Sequence, residues 1–359
     1  MKRLALHQSH QDMGATFFEY GGWEVPLSYG PVQEEYWAAR KGLGIADLTY
    51  NGRIAVLGNN RTDFMNNLAT NDIKSLQANH GCRALFLNNI GRILADCRIY
   101  NLNNRLLVDL DAGAHEKICG MLQGMAGLAG CSVISLQNFY GCVSLLGPKA
   151  SDIALELLAD GLKENEACEK TLAGYPVTVI NNPLPVPRFD ILLPAAGLKA
   201  LWDALMAAGS KYDMKPVGWE ALNVLRMEGG IPVYGADYDE STMALEVPCF
   251  EKAISFTKGC FTGQEIVGRV HSRGARVPKK LAGLWVEGET LPKNGDDIMK
   301  NNSIIGRITS AVYSYGLKKN IALGYVSKES YDPGNTVTIR CGSGAADGRV
   351  AELPFCRKA

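Results

Sequence analysis

Apolar and polar positions alternate over 92–100, with Ile93, Ala95, Cys97 and Ile99 on one parity and Leu94, Asp96, Arg98 and Tyr100 on the other. Period two predicts a strand, because successive side chains leave opposite faces. The second face sets a carboxylate two places from a guanidinium and four from a phenol, a polar cluster that suits either solvent or a site. Upstream, 33–41 reads as a helix that starts behind Pro31 and stops at Gly42. Short strands follow at 45–48 and 53–57, a helix at 62–68, a strand at 105–109 and a helix at 115–125.

A second round of the same elements comes next. A strand at 142–146 turns at Gly147-Pro148 into a helix that runs to 158, with strands at 176–180 and 189–193. The 198–208 helix carries Leu201, Trp202, Leu205 and Met206 on one stripe. Another helix, 219–227, closes at Gly229-Gly230. Beyond Pro278 only short strands and turns recur: 281–286, 303–309, 321–326 and 336–341, which predicts a small all-β barrel or sandwich.

The chain has 359 residues, enough for two or three cores. Lys+Arg and Asp+Glu are equal at 37 each, so no gross charge favours nucleic acid or an acidic membrane. The basic residues Arg269, Arg273, Arg276, Lys279 and Lys280 read as a solvated loop, with a phosphate or polyanion site as the alternative. The ten cysteines form no C-x-x-C pair, which removes the usual zinc and dithiol signals. No apolar run reaches the length of a membrane span, and the cytoplasm is the compartment expected. His7 and His10 sit in a polar N-terminal stretch and read as tail.

One stretch concentrates chemistry: Lys258-Gly259-Cys260-Phe261-Thr262-Gly263-Gln264-Glu265. Two glycines tighten the backbone, and such a loop can present a thiol and several N–H groups to a ligand. The bland alternative is a loop ahead of a helix, with Cys260 a small buried hydrophobe.

This stretch resembles the K-G-C-[FYW]-x-G-Q-E signature of the YgfZ family, a folate-binding branch of the glycine-cleavage T-protein (GcvT) superfamily. Further likeness runs through Gly22-Trp23-Glu24-Val25-Pro26, Asp47-Leu48-Thr49, Leu146-Gly147-Pro148 and Arg226-Met227-Glu228-Gly229. It continues through Tyr234-Gly235-Ala236-Asp237, Gly306-Arg307-Ile308-Thr309-Ser310 and Ile321-Ala322-Leu323-Gly324-Tyr325-Val326. The fold class this resemblance implies is α+β, in a GcvT-like three-module arrangement. Two α/β modules with antiparallel sheets (1–137 and 138–278) surround a central folate opening, and a β-barrel (279–359) follows.

Tetrahydrofolate, or a one-carbon derivative of it, is the implied cofactor. Asp96 and Tyr100 fall where the superfamily places an aspartate and a tyrosine beside the folate's reactive nitrogens. Asp190 matches the acid that pairs with two pterin N–H donors, and Arg226, Tyr234 and Lys258 complete the implied binding set. Cys260 and Asp96 are the implied reactive groups. The resemblance points to assembly or repair of iron–sulfur enzymes, with those enzymes or their assembly proteins as partners beside the folate. The alternative is an aminomethyltransferase or demethylase that passes a one-carbon unit to tetrahydrofolate. Departures from the T-protein pattern weigh against transfer: Ala46-Asp47-Leu48-Thr49-Tyr50-Asn51-Gly52 lacks the pattern's His and Met. Leu94-Ala95-Asp96 keeps one acid of a pair, and 181–187 has lost a G-Y-T-G-E run.

Overall fold

The computed structural model describes residues 1–158, 161–183, 185–342 and 344–356, so Leu184 of the 181–187 stretch lies outside the described residues. The chain forms two compact units. One comprises Met1–Asn66, Asp72–Ala84 and Cys97–Leu222, the other Asn67–Asn71, Leu85–Asp96 and Asn223–Ala359.

Two antiparallel sheets carry the α/β part. The five-stranded sheet runs in the order Gly81–Leu87, Ile93–Leu102, Arg105–Leu110, Gly52–Leu57, Ser132–Ser135. The six-stranded sheet runs Ala167–Leu172, Tyr175–Asn181, Arg188–Pro194, Tyr140–Leu146, Gly44–Asp47, Lys215–Pro216, with only the last pair parallel. Its strand Gly44–Asp47 comes from the first round of elements, yet it pairs with Tyr140–Leu146 of the second. The core of this unit gathers Ile45, Val143, Leu145, Val179, Ile191 and the helix stripe Leu201, Trp202 and Leu205. Burial follows the alternation read at 93–99: Ile93, Ala95, Cys97 and Ile99 are buried, while Leu94, Asp96 and Arg98 are half-buried. Tyr100 departs from its parity and is buried.

The N-terminus corrects the reading of a loose tail. Residues His7–Asp12 form a short helix, and both histidines are buried. His10 lies between the Tyr29 hydroxyl, 2.9 Å from its Nδ1, and Asp47 Oδ2, 3.0 Å from its Nε2, with Trp202 edge-on at 5.2 Å. A six-residue helix has little stability of its own. Buried polar contacts of this kind fix it to the strand Gly44–Asp47.

In the other unit six strands close into a barrel: Lys279–Val286, Lys319–Ser327, Ser303–Ser314, Asp297–Lys300, Thr336–Cys341 and Gly344–Ala351, which returns to the first. Inward side chains such as Leu284, Ile298, Ile339 and Val350 fill it. The strands Asp297–Lys300 and Gly344–Ala351 give little sequence signal. Gly-Ala-Ala-Asp-Gly has low strand propensity and is held by pairing along Thr336–Cys341, with the strand Lys279–Val286 joining on the other side from Gly348 onward. No helix of the described residues is long and apolar enough to cross a membrane.

His115, on the helix Ala112–Ala126, is buried against Gly52 and sits 3.1 Å from the Ser135 hydroxyl. Burial holds its imidazole below the ordinary value of 6.5. The unfolded chain therefore binds this proton more readily, and stability is lost as pH falls through that range. The expected outcome is a larger drop in melting temperature from pH 8 to pH 5.5 for the parent than for His115→Gln, measured by calorimetric scans.

Candidate functional site

The first unit contains a buried cluster of charges built by strand register. Ser144 and Asp190 lie directly opposite on neighbouring strands, and the Ser144 hydroxyl donates to Asp190 Oδ1 at 2.5 Å. Arg188 precedes Asp190 by two residues and so shares its face. Its guanidinium donates to Asp190 Oδ2 at 3.0 Å, where Asn182 Nδ2 also donates at 3.2 Å. On the five-stranded sheet, Asp109 is the register partner of both Arg53 and Arg98. The Arg53 guanidinium lies 3.3 Å from Asp109 Oδ1 and donates to Leu48 O at 2.9 Å.

These groups act on one another. Burial raises the Asp109 carboxyl above its usual range while Arg53 pulls it down. Burial also pushes the Cys142 thiol up to about 12, against the pull of Arg53. The Tyr100 phenol is raised chiefly by burial, with Arg98, Asp109, Asp190 and Arg188 in its field. Three polar atoms of the cluster are buried with no hydrogen-bond partner in the protein, Tyr100 Oη, Asn182 Oδ1 and Arg188 Nε, while Arg53 Nε and Asp109 Oδ1 face each other as an ion pair at 3.3 Å. Native proteins pair most such atoms, so a group of them marks a place prepared for polar contact.

The second unit holds the other expected residues. Arg226, in the last turn of the helix Trp219–Glu228, is committed to its neighbours: it donates to Asn223 Oδ1, Ile231 O, Asp237 Oδ2 (2.6 Å) and Ser310 Oγ (3.1 Å). Asp237 is buried and takes two donors on each oxygen. Oδ2 receives Arg226 and the Val233 N–H, and Oδ1 receives the Thr309 and Ser310 hydroxyls. Consecutive strand residues normally point to opposite faces. Here the register of Ser303–Ser314 shifts between Ile308 and Ser310, so a bulge at Thr309 turns both hydroxyls to one carboxylate. A pocket of about 610 Å³ lies beside this brace, lined by Asp237, Asp239, Thr242, Lys279, Arg307 and Tyr325 among others. Tyr234 donates to Glu240 at 3.2 Å.

The Cys260 loop differs from the reading in one respect. Gly263 is required: its φ is +83°, and a Cβ there would meet Asn88 O at 2.6 Å. Gly259 has open space around it and no left-handed φ. Lys258 Nζ donates to Ala69 O (2.7 Å) and Asn71 O (2.9 Å) and lies 5.3 Å from the Phe261 ring. Phe261 is buried, and Cys260 is exposed, not a buried hydrophobe. The helix Gln264–Ser272 begins directly after Gly263, as the blander reading had it. Asp96 is half-buried on the strand Ile93–Leu102.

Asp190 and Tyr100 thus join a cluster whose other members escaped sequence reasoning. Arg188 could have been found from its i, i+2 spacing to Asp190 in a strand. Ser144 and Asp109 depend on pairing between strands far apart in the chain, and Asn182 on the pairing of two successive strands, none of which left a local signal.

Two α/β sheets with buried acids on their strands, followed by a closed barrel braced to an Arg–Asp pair, define a T-protein-like architecture. The chain belongs to the family described as the GCVT N-terminal domain, whose model matches residues 6–258, and residues 279–356 match the glycine cleavage T-protein C-terminal barrel domain. It is 30% identical over 370 residues to an aminomethyltransferase of Symbiobacterium thermophilum, covering 99% of this chain and 98% of that one. It is 29% identical over 362 residues to an aminomethyltransferase of Thermotoga maritima, with the same coverage. The crystal structure of the glycine cleavage system aminomethyltransferase T from Bartonella henselae has the same fold. It superposes with a TM-score of 0.91 at 24% identity, over 99% of this chain and 98% of that one.

Truncating Asp237 to Ala leaves the buried Arg226 charge without its counter-ion. The expected loss is about 3–5 kcal/mol; Ser310→Ala, which removes the hydroxyl between Asp237 and Arg226 but leaves that ion pair in place, is expected to cost less, about 1.5–3 kcal/mol. Urea denaturation of both variants checks the order. Gly263→Ala is expected to destabilise by about 1–3 kcal/mol through its left-handed backbone, while Gly259→Ala stays near the parent.

Proposed function

We propose that the protein is a tetrahydrofolate-dependent aminomethyltransferase. The observation that carries this reading is full-length similarity to proteins of that name, together with retention of Asp96 on its strand. The first unit's cluster suits a reduced pterin. Tyr100 O–H and Arg188 Nε–H are buried donors, and Asn182 Oδ1 is a buried acceptor, each without a protein partner. A fused nitrogen heterocycle offers complementary groups along its edge.

Tetrahydrofolate, when bound, supplies the nucleophilic nitrogen that accepts the one-carbon unit. The Asp96 carboxylate would accept a hydrogen bond from that amine and so turn its lone pair toward the incoming carbon. Tyr100, four residues on, contributes a neutral phenol, because burial disfavours its anion. Arg226 is a brace that orders the loop around Asp237, and Lys258 ties its own loop to residues 69 and 71.

A second reading, a YgfZ-like role in iron–sulfur enzyme assembly or repair, is favoured by one observation. Cys260 stands exposed in a loop that matches that branch's signature. A single thiolate can act as a nucleophile or a soft metal ligand, yet a cluster normally takes four. The relatives named above favour the transferase.

The two readings separate in a steady-state assay of tetrahydrofolate-dependent one-carbon transfer. Asp96→Asn is expected to lose about 100-fold or more in kcat, as for removal of a positioned acid–base group, while Cys260→Ser stays within about twofold of the parent. A parent without transfer activity sinks the first reading. Loss of iron–sulfur enzyme activity in cells carrying Cys260→Ser, with Asp96→Asn harmless, supports the second.

A further inference from the structure

The geometry points to Arg188 as a specificity-determining residue: it closes the Asp190 carboxylate, so the heterocycle is read through an acceptor facing Arg188 and not through an N–H pair facing Asp190. This rests on the folate reading above and concerns how that ligand is recognised.

An ionised carboxylate has about four lone-pair directions, two on each oxygen. A fork of two N–H donors needs one on Oδ1 and one on Oδ2. Asp190 Oδ2 already accepts from Asn182 Nδ2 and from the Arg188 guanidinium, and Oδ1 accepts from Ser144. Oδ2 has no direction left. The residue is buried and its three donors come from three places on the sheet, so an incoming fork would have to displace Arg188 or Asn182. Displacing Arg188 would strand a guanidinium that is mostly buried, with 15% of its side chain exposed.

Arg188 at the same time brings a donor of its own. Its Nη is spent on Asp190, but Nε–H is buried without a partner, and Asn182 Oδ1 is left likewise once its Nδ2 is spent. Donor and acceptor functions are therefore still offered at this place, by neutralised groups. The net charge of the Arg188–Asp190 pair is zero, so the site no longer selects for the positive edge of an amino–imino pair. A ring oxygen or unprotonated ring nitrogen is the partner Arg188 Nε fits.

The test uses tetrahydrofolate and its 2-desamino analogue, titrated calorimetrically into the full-length parent, Arg188→Ala and Asp190→Asn. In the parent, removal of the 2-amino group is expected to weaken binding by less than about fivefold, since no carboxylate waits for it. In Arg188→Ala the freed Asp190 takes the N–H pair, and discrimination against the analogue rises to about 100-fold or more, as in sites built to bond a group the analogue lacks. Asp190→Asn, which keeps the shape should Arg188→Ala fail to fold, is expected to leave the parent's weak discrimination unchanged within about twofold. A parent that already rejects the analogue about 100-fold, and loses that rejection in Asp190→Asn, overturns the inference and leaves the transferase reading standing. Tetrahydrofolate bound by Arg188→Ala and not by the parent overturns the inference, which has the parent read the heterocycle through Arg188, and the transferase reading with it. Binding by neither overturns both.

Discussion

A carboxylate taken out of water must be matched oxygen by oxygen, and much of this structure is arranged around that demand. Asp237 takes four donors from a helix, a loop and a barrel strand, and the bulge at Thr309 supplies the fourth. Glu35 accepts the N–H groups of Tyr29, Gly30 and Gly218, and so joins the N-terminal segment to residues almost two hundred positions away. Asp47 holds His10 on one oxygen and the Thr49 N–H on the other. In each case the acid ties together segments that share no hydrophobic periodicity, and removing it would leave several donors unpaired at once. The apolar cores supply most of the driving force for folding. The acids fix which loops meet.

This explains which parts of the molecule were readable beforehand. The strand over 93–99 follows from alternation, because one face is buried against a core and the other is not. The Leu201, Trp202 and Leu205 stripe follows for the same reason at helical period. The barrel follows from turns and short apolar runs. What periodicity does not carry is partnership across the chain. His7 and His10 look like tail residues because their six-residue helix has no apolar stripe; its place is set by Asp47 and Tyr29. Ser144 gains a role only through register with Asp190. Tyr100 shares parity with Asp96 yet is buried, so its environment is decided by what covers it and not by its own strand.

The functional reading shows the same division. The motif carrying Asp190 marked it as a pterin-binding acid, and the local pattern supports a buried carboxylate on a strand. Its partners alter what that carboxylate can do. With Arg188 two residues away and on the same face, the acid is a structural anchor for a guanidinium as much as a receptor for N–H groups. Motif resemblance transfers a position, and the atoms around it decide the chemistry.

The loop at 258–265 presses this further. Lys258 is bound to two backbone carbonyls, Phe261 is buried, Gly263 is fixed by its backbone and by the closeness of Asn88, and Gln264 accepts the Phe261 N–H at 3.3 Å. These residues are spent on the shape of the turn and the start of the following helix. A signature can therefore persist because a turn needs it, whatever happens to the side chain it displays. Cys260 is the displayed one, and its exposure is as compatible with a bystander in a transferase as with a reactive thiol. Identity at the shaping positions consequently carries little weight in choosing between the two chemistries. The choice falls to Asp96, a group whose strand would form equally well with Asn in its place.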